Sequence, residues 1–309
     1  QGSTSTPDEA PVITQRESSV ETGNTITINA AENATANVTI SNVNIDTSGA
    51  AIATSGKGNV NIELDGTNTL KSGREHAGLE KSGDGKLTIT DENGNGKLIA
   101  TGGQYGAGIG GGFYEGGKNI TITGGEITAI GGYNGAGIGG GDSGGGSNIT
   151  ITGGEITAIG GYSGAGIGGG NFKDGNDINI AGGKVTATGG TNGAGIGGGL
   201  RKEGEKITVS GDATLKVQGG SGDGWDGAGA GIGNGGNHNG EFSGSFIPVN
   251  AAETEPDTSN LTTGKIEYYA PGADMTKDKP TSTTLGSGQP EPASPGEAAA
   301  PVEYRMQTS

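Results

Sequence analysis

Short runs of alternating apolar and polar residues recur along the middle of the chain, and each run is too short to form a helix. In ITIT (120–123) and EITAI (126–130), every second residue is Ile or Ala, so these side chains share one face of a strand. A third run, AGIGG, places Ala107 and Ile109 on one face in the same way. Each unit therefore predicts three short β-strands.

The same unit returns at a fixed interval. The motif GAGIGGG starts at positions 106, 135, 164 and 193, which are each 29 residues apart. One coil cannot bury three narrow apolar faces, but coils stacked in parallel about 4.8 Å apart join these faces into continuous columns. The predicted fold is all-β: a right-handed parallel β-helix, or β-solenoid, with three short strands and about 29 residues per coil.

Composition supports stacking as the source of order. Gly accounts for 71 of 309 residues, only 29% of residues are hydrophobic, the formal net charge is −16, and Cys is absent. Such values are typical of disordered chains. The strict period with fixed apolar positions instead favours a solenoid, in which Gly runs supply the backbone conformations of tight corners.

The flanks of the repeats differ in composition and predict four segments. Residues 1–23 read as a leader or linker, and 24–240 as the β-helix. Residues 241–275 are expected to close the open C-terminal end of the solenoid, since an uncovered coil exposes unpaired backbone groups. Residues 276–309 are rich in Pro, Ser, Glu and Ala, which is typical of a linker or tail.

The first coils are degenerate but can be aligned. Val38 and Ile40 in one coil, and Val60 and Ile62 in the next, are expected to occupy the ITIT position. On the second strand, one outward column is predicted from Lys97, Glu126, Glu155, Lys184 and Thr214. Neighbours of opposite charge in this column are expected to pair across the ladder.

The motifs GAGIGGG, NITITGGEITAIGG, NVTISNVNIDTSG and IELDGTNTLKSG resemble those of the carbohydrate-binding-domain proteins of Gram-positive bacteria. The resemblance covers roughly residues 24–240. It implies a secreted or surface-bound parallel β-helix, similar in fold to pectate lyases, that binds polysaccharides, including acidic ones, and holds calcium. No ligand residue of that family is matched to a position of this sequence.

The outward residues of AGIGG suggest one binding surface. Gly108, Gly110 and their equivalents are expected to form a flat shelf of bare backbone, beside which aromatic rings pack against the C–H faces of sugars. The candidate carbohydrate-binding residues are Tyr105, Tyr133, Tyr162, Phe113, Tyr114, Phe172 and Trp225. The alternative is that the small residues permit tight curvature and the tyrosines only cover corners.

Carboxylates in Gly- and Asn-rich turns suggest a second kind of site. The candidate calcium ligands are Asp142, Asp174, Asp177, Asp223 and Asp226. A cation bound between the two would offset the repulsion between an acidic protein and an acidic glycan. The alternative is that these residues are ordinary turn formers.

Enzyme chemistry has weak support. The four Arg residues are scattered, and the spacing of His76 and His238 suggests no nucleophile or metal partner. Identical coils offer many equivalent contacts, which favours binding. The predicted function is therefore non-catalytic polysaccharide binding or adhesion, outside the cell or at its surface, with no cofactor required, no nucleic acid partner and no membrane insertion.

Three other functions remain open. One is a passive surface stalk, and another is a pectate-lyase-like polysaccharide lyase. The third is ice binding through hydroxyls on the first strand of each coil, at Thr39/Ser41, Thr88/Thr90, Thr121/Thr123, Thr150/Thr152 and Thr208/Ser210. Asn61/Glu63 and Asn179/Ala181 interrupt that array.

Overall fold

The chain folds as a parallel β-helix, as its repeats predict. A computed structural model describes residues 10–239, 247–251 and 253–288. Between Thr35 and Gly233 the chain makes seven coils, each contributing one strand to each of three parallel sheets, A, B and C. Among the described residues there is no helix.

The three sheets run along the length of the solenoid. Sheet A contains, in spatial order, β1 (Val12–Thr14), β3 (Thr35–Ser41), β6 (Asn59–Asp65), β9 (Leu87–Thr90), β12 (Gly117–Ile122), β15 (Gly146–Ile151), β18 (Gly175–Ile180) and β21 (Gly204–Val209). Sheet B contains β4 (Asn44–Asp46), β7 (Thr67–Lys71), β10 (Lys97–Thr101), β13 (Glu126–Ile130), β16 (Glu155–Ile159), β19 (Lys184–Thr188), β22 (Thr214–Gln218), β26 (Lys265–Tyr269) and β27 (Ser282–Leu285). Sheet C contains β2 (Ile26–Ala30), β5 (Ile52–Gly56), β8 (Leu79–Lys81), β11 (Ile109–Gly110), β14 (Ile138–Gly139), β17 (Ile167–Gly168), β20 (Ile196–Gly197) and β23 (Ile232–Gly233). A separate antiparallel pair joins β24 (Asn237–Asn239) to β25 (Ile247–Val249).

Inside the coils, aliphatic side chains form unbroken columns. One column on sheet C consists of Ile109, Ile138, Ile167 and Ile196, and all four are fully buried. Each buried side chain of this size contributes roughly 1.5–3 kcal/mol. Because every coil repeats the same inward residues, these contacts run the length of the solenoid.

The predicted register is confirmed in the regular coils and wrong in the first one. Ile120 faces Ile149 as expected, but Val38 pairs with Ile62 rather than with Val60. The alternation was read correctly, since Val38 and Ile40 point inward. A pattern with period two does not distinguish a register from the same register shifted by two residues.

This shift also changes the predicted threonine array on sheet A. Thr39 lies beside Glu63, and Ser41 lies beside Asp65, so the first coil does not add a hydroxyl pair to the array. The outward column on sheet B has the predicted order of residues, but within the described residues Glu155 and Lys184 form no ion pair, contrary to the expectation. Within it, Lys97 Nζ lies 2.6 Å from Glu126 Oε2.

Residues after the last coil cross its C-terminal end. The Glu253 carboxylate accepts hydrogen bonds from Gly231 N and Ile232 N, both at 2.7 Å, at the edge of sheet C. Asp257 N donates to Ile207 O, and Val209 N donates to Asp257 O, at the edge of sheet A.

Strands β1 and β27 extend sheets A and B into the segments expected to be leader and tail. Residues 1–9, 240–246, 252 and 289–309 of the predicted segments lie outside the described residues. None of the described residues forms a helix of the length and apolar character needed to cross a membrane.

Candidate functional site

The expected glycine shelf on sheet C is not exposed, because neighbouring backbone covers it. Gly108 and Gly110 are both buried. A Cβ atom on Gly108 would lie 2.5 Å from Ile130 N, and one on Gly110 would lie 2.0 Å from Gly139 O. Gly110 also has a φ of 136°, which L side chains rarely adopt. These glycines permit close backbone packing and do not offer a surface to a ligand.

The corners on either side of sheet C are hydrogen-bonded to one another from coil to coil. In each coil, one corner precedes the sheet C strand and another follows it. A backbone N–H of the following corner donates a hydrogen bond to the preceding corner of the previous coil. Asp142 N donates to Tyr105 O at 2.7 Å, and Asn171 N donates to Asn134 O at 2.9 Å. We call this strip of paired corners the ridge; it comprises residues 72–76, 102–106, 111–116, 131–135, 140–145, 160–164, 169–174, 189–193, 198–203 and 219–227.

Every aromatic residue between positions 24 and 239 lies on the ridge: Tyr105, Phe113, Tyr114, Tyr133, Tyr162, Phe172 and Trp225. Four of these side chains are well exposed, with 70% of Tyr114, 54% of Tyr133, 43% of Phe172 and 68% of Trp225 accessible. The buried hydrophobic cluster inside the coils is built from aliphatic side chains and contains no aromatic ring. Aromatic rings kept out of a core and gathered on one exposed strip are typical of a binding surface.

Backbone conformation holds one row of the ridge in place. Tyr114, Ser143, Phe172 and Arg201 are spaced 29 residues apart, and their φ angles lie between 54° and 62°. A left-handed conformation at a residue other than Gly costs about 1–3 kcal/mol, and it persists where the surroundings impose it. The corner therefore sets the direction of these four side chains.

Tyr133 and Tyr162 stack face to face in adjacent coils. Their ring centroids are 4.9 Å apart and their planes differ by 4°. Each ring therefore covers one face of the other. The Tyr162 hydroxyl donates to Asp223 Oδ2 at 2.6 Å, and this hydrogen bond is the main cause that raises the pKa of Tyr162 to about 12.

Tyr162 thereby anchors the inserted loop that carries Trp225. Besides the Tyr162 hydroxyl, the Asp223 carboxylate accepts hydrogen bonds from Trp225 N at 2.8 Å and Asp226 N at 2.7 Å. Burial raises the pKa of Asp223, but these hydrogen bonds outweigh it and lower the pKa overall. The insertion is therefore a structured part of the ridge.

Tyr105 is not in line with the other two tyrosines. We call a row of equivalent positions in successive coils a file. Asn134 N donates to Gln104 O, so Gln104, and not Tyr105, occupies the position of Tyr133 in the preceding coil. The Tyr105 ring lies 4.9 Å from the Phe113 ring, and Phe113 lies 3.9 Å from Tyr114. The aromatic residues form two groups, one around Phe113 and one around the stacked pair.

Arg74 was missed by the sequence analysis. Its guanidinium lies 4.9 Å over the Tyr105 ring and donates to the Tyr105 hydroxyl at 2.8 Å and to Gln104 Oε1 at 3.1 Å. Among the described residues, no carboxylate lies within 4.0 Å of this guanidinium. The signal was the alignment of GREHAGL (73–79) with GQYGAGI (103–109), which places Arg74 in the file of Gln104 and Tyr133.

Arg201, at the other end of the ridge, is neutralised. It donates to both oxygens of buried Asp226, at 2.8 and 3.0 Å, and its guanidinium lies 5.7 Å from the Phe172 ring. His238 Nδ1 lies 2.8 Å from the same Asp226 carboxylate. Near the opposite end, His76 Nδ1 lies 2.9 Å from Glu80 Oε2. The two histidine–carboxylate pairs are thus separated along the solenoid and do not form one centre.

The candidate calcium ligands do not converge on one position. The Asp142 carboxylate accepts from the side-chain amides of Asn134 and Asn171, at 3.0 and 3.1 Å. Asp174 accepts from a backbone N–H, and Asp177 Oδ1 lies 3.5 Å from Lys206 Nζ. Only Asp223 and Asp226 are neighbours. Within the described ranges, no group of three His, Cys, Asp or Glu side chains is placed to hold a metal ion, so these five carboxylates do not fit a calcium site.

Comparison with known families agrees with the geometry. Four segments match the family model described as Beta helix repeat, at residues 93–113, 120–142, 149–171 and 178–200. The chain is a parallel β-helix protein. Comparisons with curated proteins and with solved structures gave no match. The matched segments include four of the eight strands of sheet C, β11, β14, β17 and β20, and part of the ridge, but they carry no information about a ligand.

Proposed function

We propose that this β-helix protein binds polysaccharide along the ridge without cleaving it, outside the cell or at its surface. The observation that carries the proposal is the placement of all seven aromatic residues of the coils on this one strip, four of them well exposed. Exposed rings pack against the C–H faces of sugars, and the hydroxyl and amide groups between them bond sugar hydroxyls. Several weak contacts along one chain add through effective concentration.

Unequal charge along the ridge supports an acidic polysaccharide as the ligand. The Arg74 guanidinium has only neutral partners, whereas Asp226 neutralises Arg201. An arginine without a carboxylate partner, stacked on Tyr105, suits the carboxylate of a uronic acid. Direct contact at Arg74 requires no bridging calcium ion.

The stacked pair refines which rings contact the sugar. Tyr162 is occupied by Tyr133 on one face and by Asp223 at its hydroxyl, so its role is to hold the surface together. Tyr133, Phe172 and Trp225 are more exposed and supply the contacts. In a variant without the Tyr162 ring, loss of binding could therefore not be told apart from loss of local structure.

The test is affinity electrophoresis of the full chain in gels that contain neutral polysaccharides or polyuronates. Tyr133→Ala combined with Phe172→Ala should weaken binding severalfold, and more for long chains than for short oligosaccharides. The matched control is Thr121→Ala with Thr150→Ala, on the outer face of sheet A in the same coil as Tyr133 and in the next. This control should bind like the parent.

Arg74→Gln separates the acidic ligand from polysaccharides in general. It should weaken binding of polyuronates and leave binding of neutral chains unchanged. If the Tyr133/Phe172 variant binds a confirmed glycan as tightly as the parent, the ridge is not the binding surface. Release of reducing ends or unsaturated products by the parent would overturn the non-catalytic assignment.

A further inference from the structure

The outer face of sheet B carries a regular array that the ridge does not use. In strands β10, β13, β16 and β19, the two outward positions nearest sheet C form two files of side chains: Ile99/Thr101, Thr128/Ile130, Thr157/Ile159 and Thr186/Thr188. All eight are Thr or Ile, on a chain whose net charge is −16. We call this surface the Thr/Ile face.

The hydroxyls of the Thr/Ile face are not used by the protein. Within the described residues, the side chains of its five threonines make no hydrogen bond. On sheet A, the Thr90 hydroxyl donates to Glu63 and the Thr123 hydroxyl donates to Ile89 O at 3.3 Å, whereas the hydroxyls of Thr121 and Thr150 likewise make no hydrogen bond within the described residues. Since each free hydroxyl is both donor and acceptor, the hydrogen-bonding partners left for the Thr/Ile face are water molecules.

The array is also rigid and uncharged. Thr and Ile are both β-branched, so their χ1 angles are restricted, and the underlying backbone is fixed by hydrogen bonds on both sides. Charged residues stand at its border: Lys97, Glu126, Glu155 and Lys184 lie along one side, and Lys71 and Lys216 lie at the two ends of its files. Sheet A lacks this uniformity, because Glu63 and Asn179 interrupt its files.

We propose that the Thr/Ile face binds ice, by holding a layer of ordered water that continues into the crystal. Rigid methyl groups restrict the orientation of neighbouring water, and the threonine hydroxyls among them anchor it by hydrogen bonds. The repeat along the solenoid is that of a parallel sheet, about 4.8 Å. A periodic, charge-free surface is suited to a periodic solid built from water.

Two other occupants fit less well. Four strands about 4.8 Å apart with two positions about 7 Å apart give a patch on the order of 200 Å², whereas a stable dimer buries about 800 Å² on each partner. A polysaccharide is usually bound by aromatic rings that pack against its sugars, but this face contains no aromatic residue.

The test is the growth of ice crystals in solutions of the full chain, scored by crystal shaping and by inhibition of recrystallisation. The parent should shape crystals. Thr128→Lys with Thr157→Lys, at the centre of the face, should abolish this effect because a lysine retains its own hydration shell. The matched control, Thr121→Lys with Thr150→Lys, makes the same change on sheet A in the same two coils and should behave like the parent. Thermal unfolding should show that both variants are folded.

Any of four results would overturn the inference. The first is that the parent has no effect on ice, and the second is that the sheet A control loses the effect equally. The third is that the sheet B variant loses binding to crystalline polysaccharide while its effect on ice is unchanged. The fourth is that the mass measured by sedimentation drops from dimer to monomer in the sheet B variant. The last two would assign the face to a solid glycan or to a second copy. The ridge assay is unaffected by these outcomes, because it concerns a different face.

Discussion

Sheet C differs between the N-terminal coils and the glycine-rich coils. In the N-terminal coils β5 has five residues, and the outward column carries Ala53 and then Glu80. In the glycine-rich coils β14 has two residues, and the same column continues as Gly110 and Gly139. Positions 53 and 80 of this column carry a side chain, whereas positions 110 and 139 lie too close to neighbouring backbone to do so.

The difference shows what the glycines do. No aromatic residue occurs between positions 24 and 104, and the first, Tyr105, lies beside the first two-residue strand, β11. Where sheet C shortens and loses its side chains, the corners on its two sides meet and form the ridge. Glycine therefore permits the surface on which the aromatic rings stand, and the rings supply the contacts.

The largest expected effect tests what the two regions share. Ile52 and Ile138 lie in the same inward column, and both are fully buried. Ile52→Asp and Ile138→Asp should each lower the free energy of unfolding by about 4 kcal/mol or more, because an unpaired carboxylate would be buried. Urea unfolding measures this. A near-parental transition in either variant would disprove the register of that region.

The next effect should distinguish the regions. Gly139→Ala would place a Cβ atom 2.0 Å from Gly168 O at a φ of 137°, and we expect a loss of about 2–4 kcal/mol. Ala53→Ser, in the same column but in an N-terminal coil, should change stability by less than about 0.5 kcal/mol. Equal effects on urea unfolding would mean that the close approach of backbone is not what requires glycine.

A smaller effect concerns how the ridge is held together. Asp223→Asn should return the pKa of Tyr162 from about 12 toward its ordinary value of 10.0, because the anionic acceptor is lost. Phenolate absorbance during alkaline titration, with Tyr162→Phe to assign the signal, measures this change. The raised pKa contributes stability that is present below pH 10 and is lost as pH rises toward 12. A titration unchanged by Asp223→Asn would separate Tyr162 from the inserted loop.

The smallest effect is expected from calcium. Because the five candidate carboxylates are separated or already paired with other groups, a chelator should shift Tm by less than about 1 °C, and millimolar calcium should not raise it. Differential scanning calorimetry with and without the chelator measures this. A clear stabilisation by calcium would place a metal site on the solenoid and would contradict the geometry given above.

The sequence was sufficient for the strands and columns, since alternation and a 29-residue period determine which side chains point inward. It was not sufficient for the register of β3, because Val38 keeps its inward direction when the strand shifts by two residues. It also did not predict that Gly108 is covered, because this depends on the close approach of backbone from the neighbouring coil, which no local pattern encodes. The offset of Tyr105 from Tyr133 can be read from the sequence, because Tyr105 lies one place nearer its GAGIGGG motif.

The most direct test of the ridge as a polysaccharide-binding surface uses Trp225, the only tryptophan in the chain. Its side chain is 68% exposed and lies in the loop that Tyr162 anchors. Addition of a polyuronate should produce a saturable change in tryptophan emission, toward shorter wavelength as water is displaced, and Arg74→Gln should weaken it. Emission that stays constant while the polysaccharide is shown to bind would contradict the assignment of this surface.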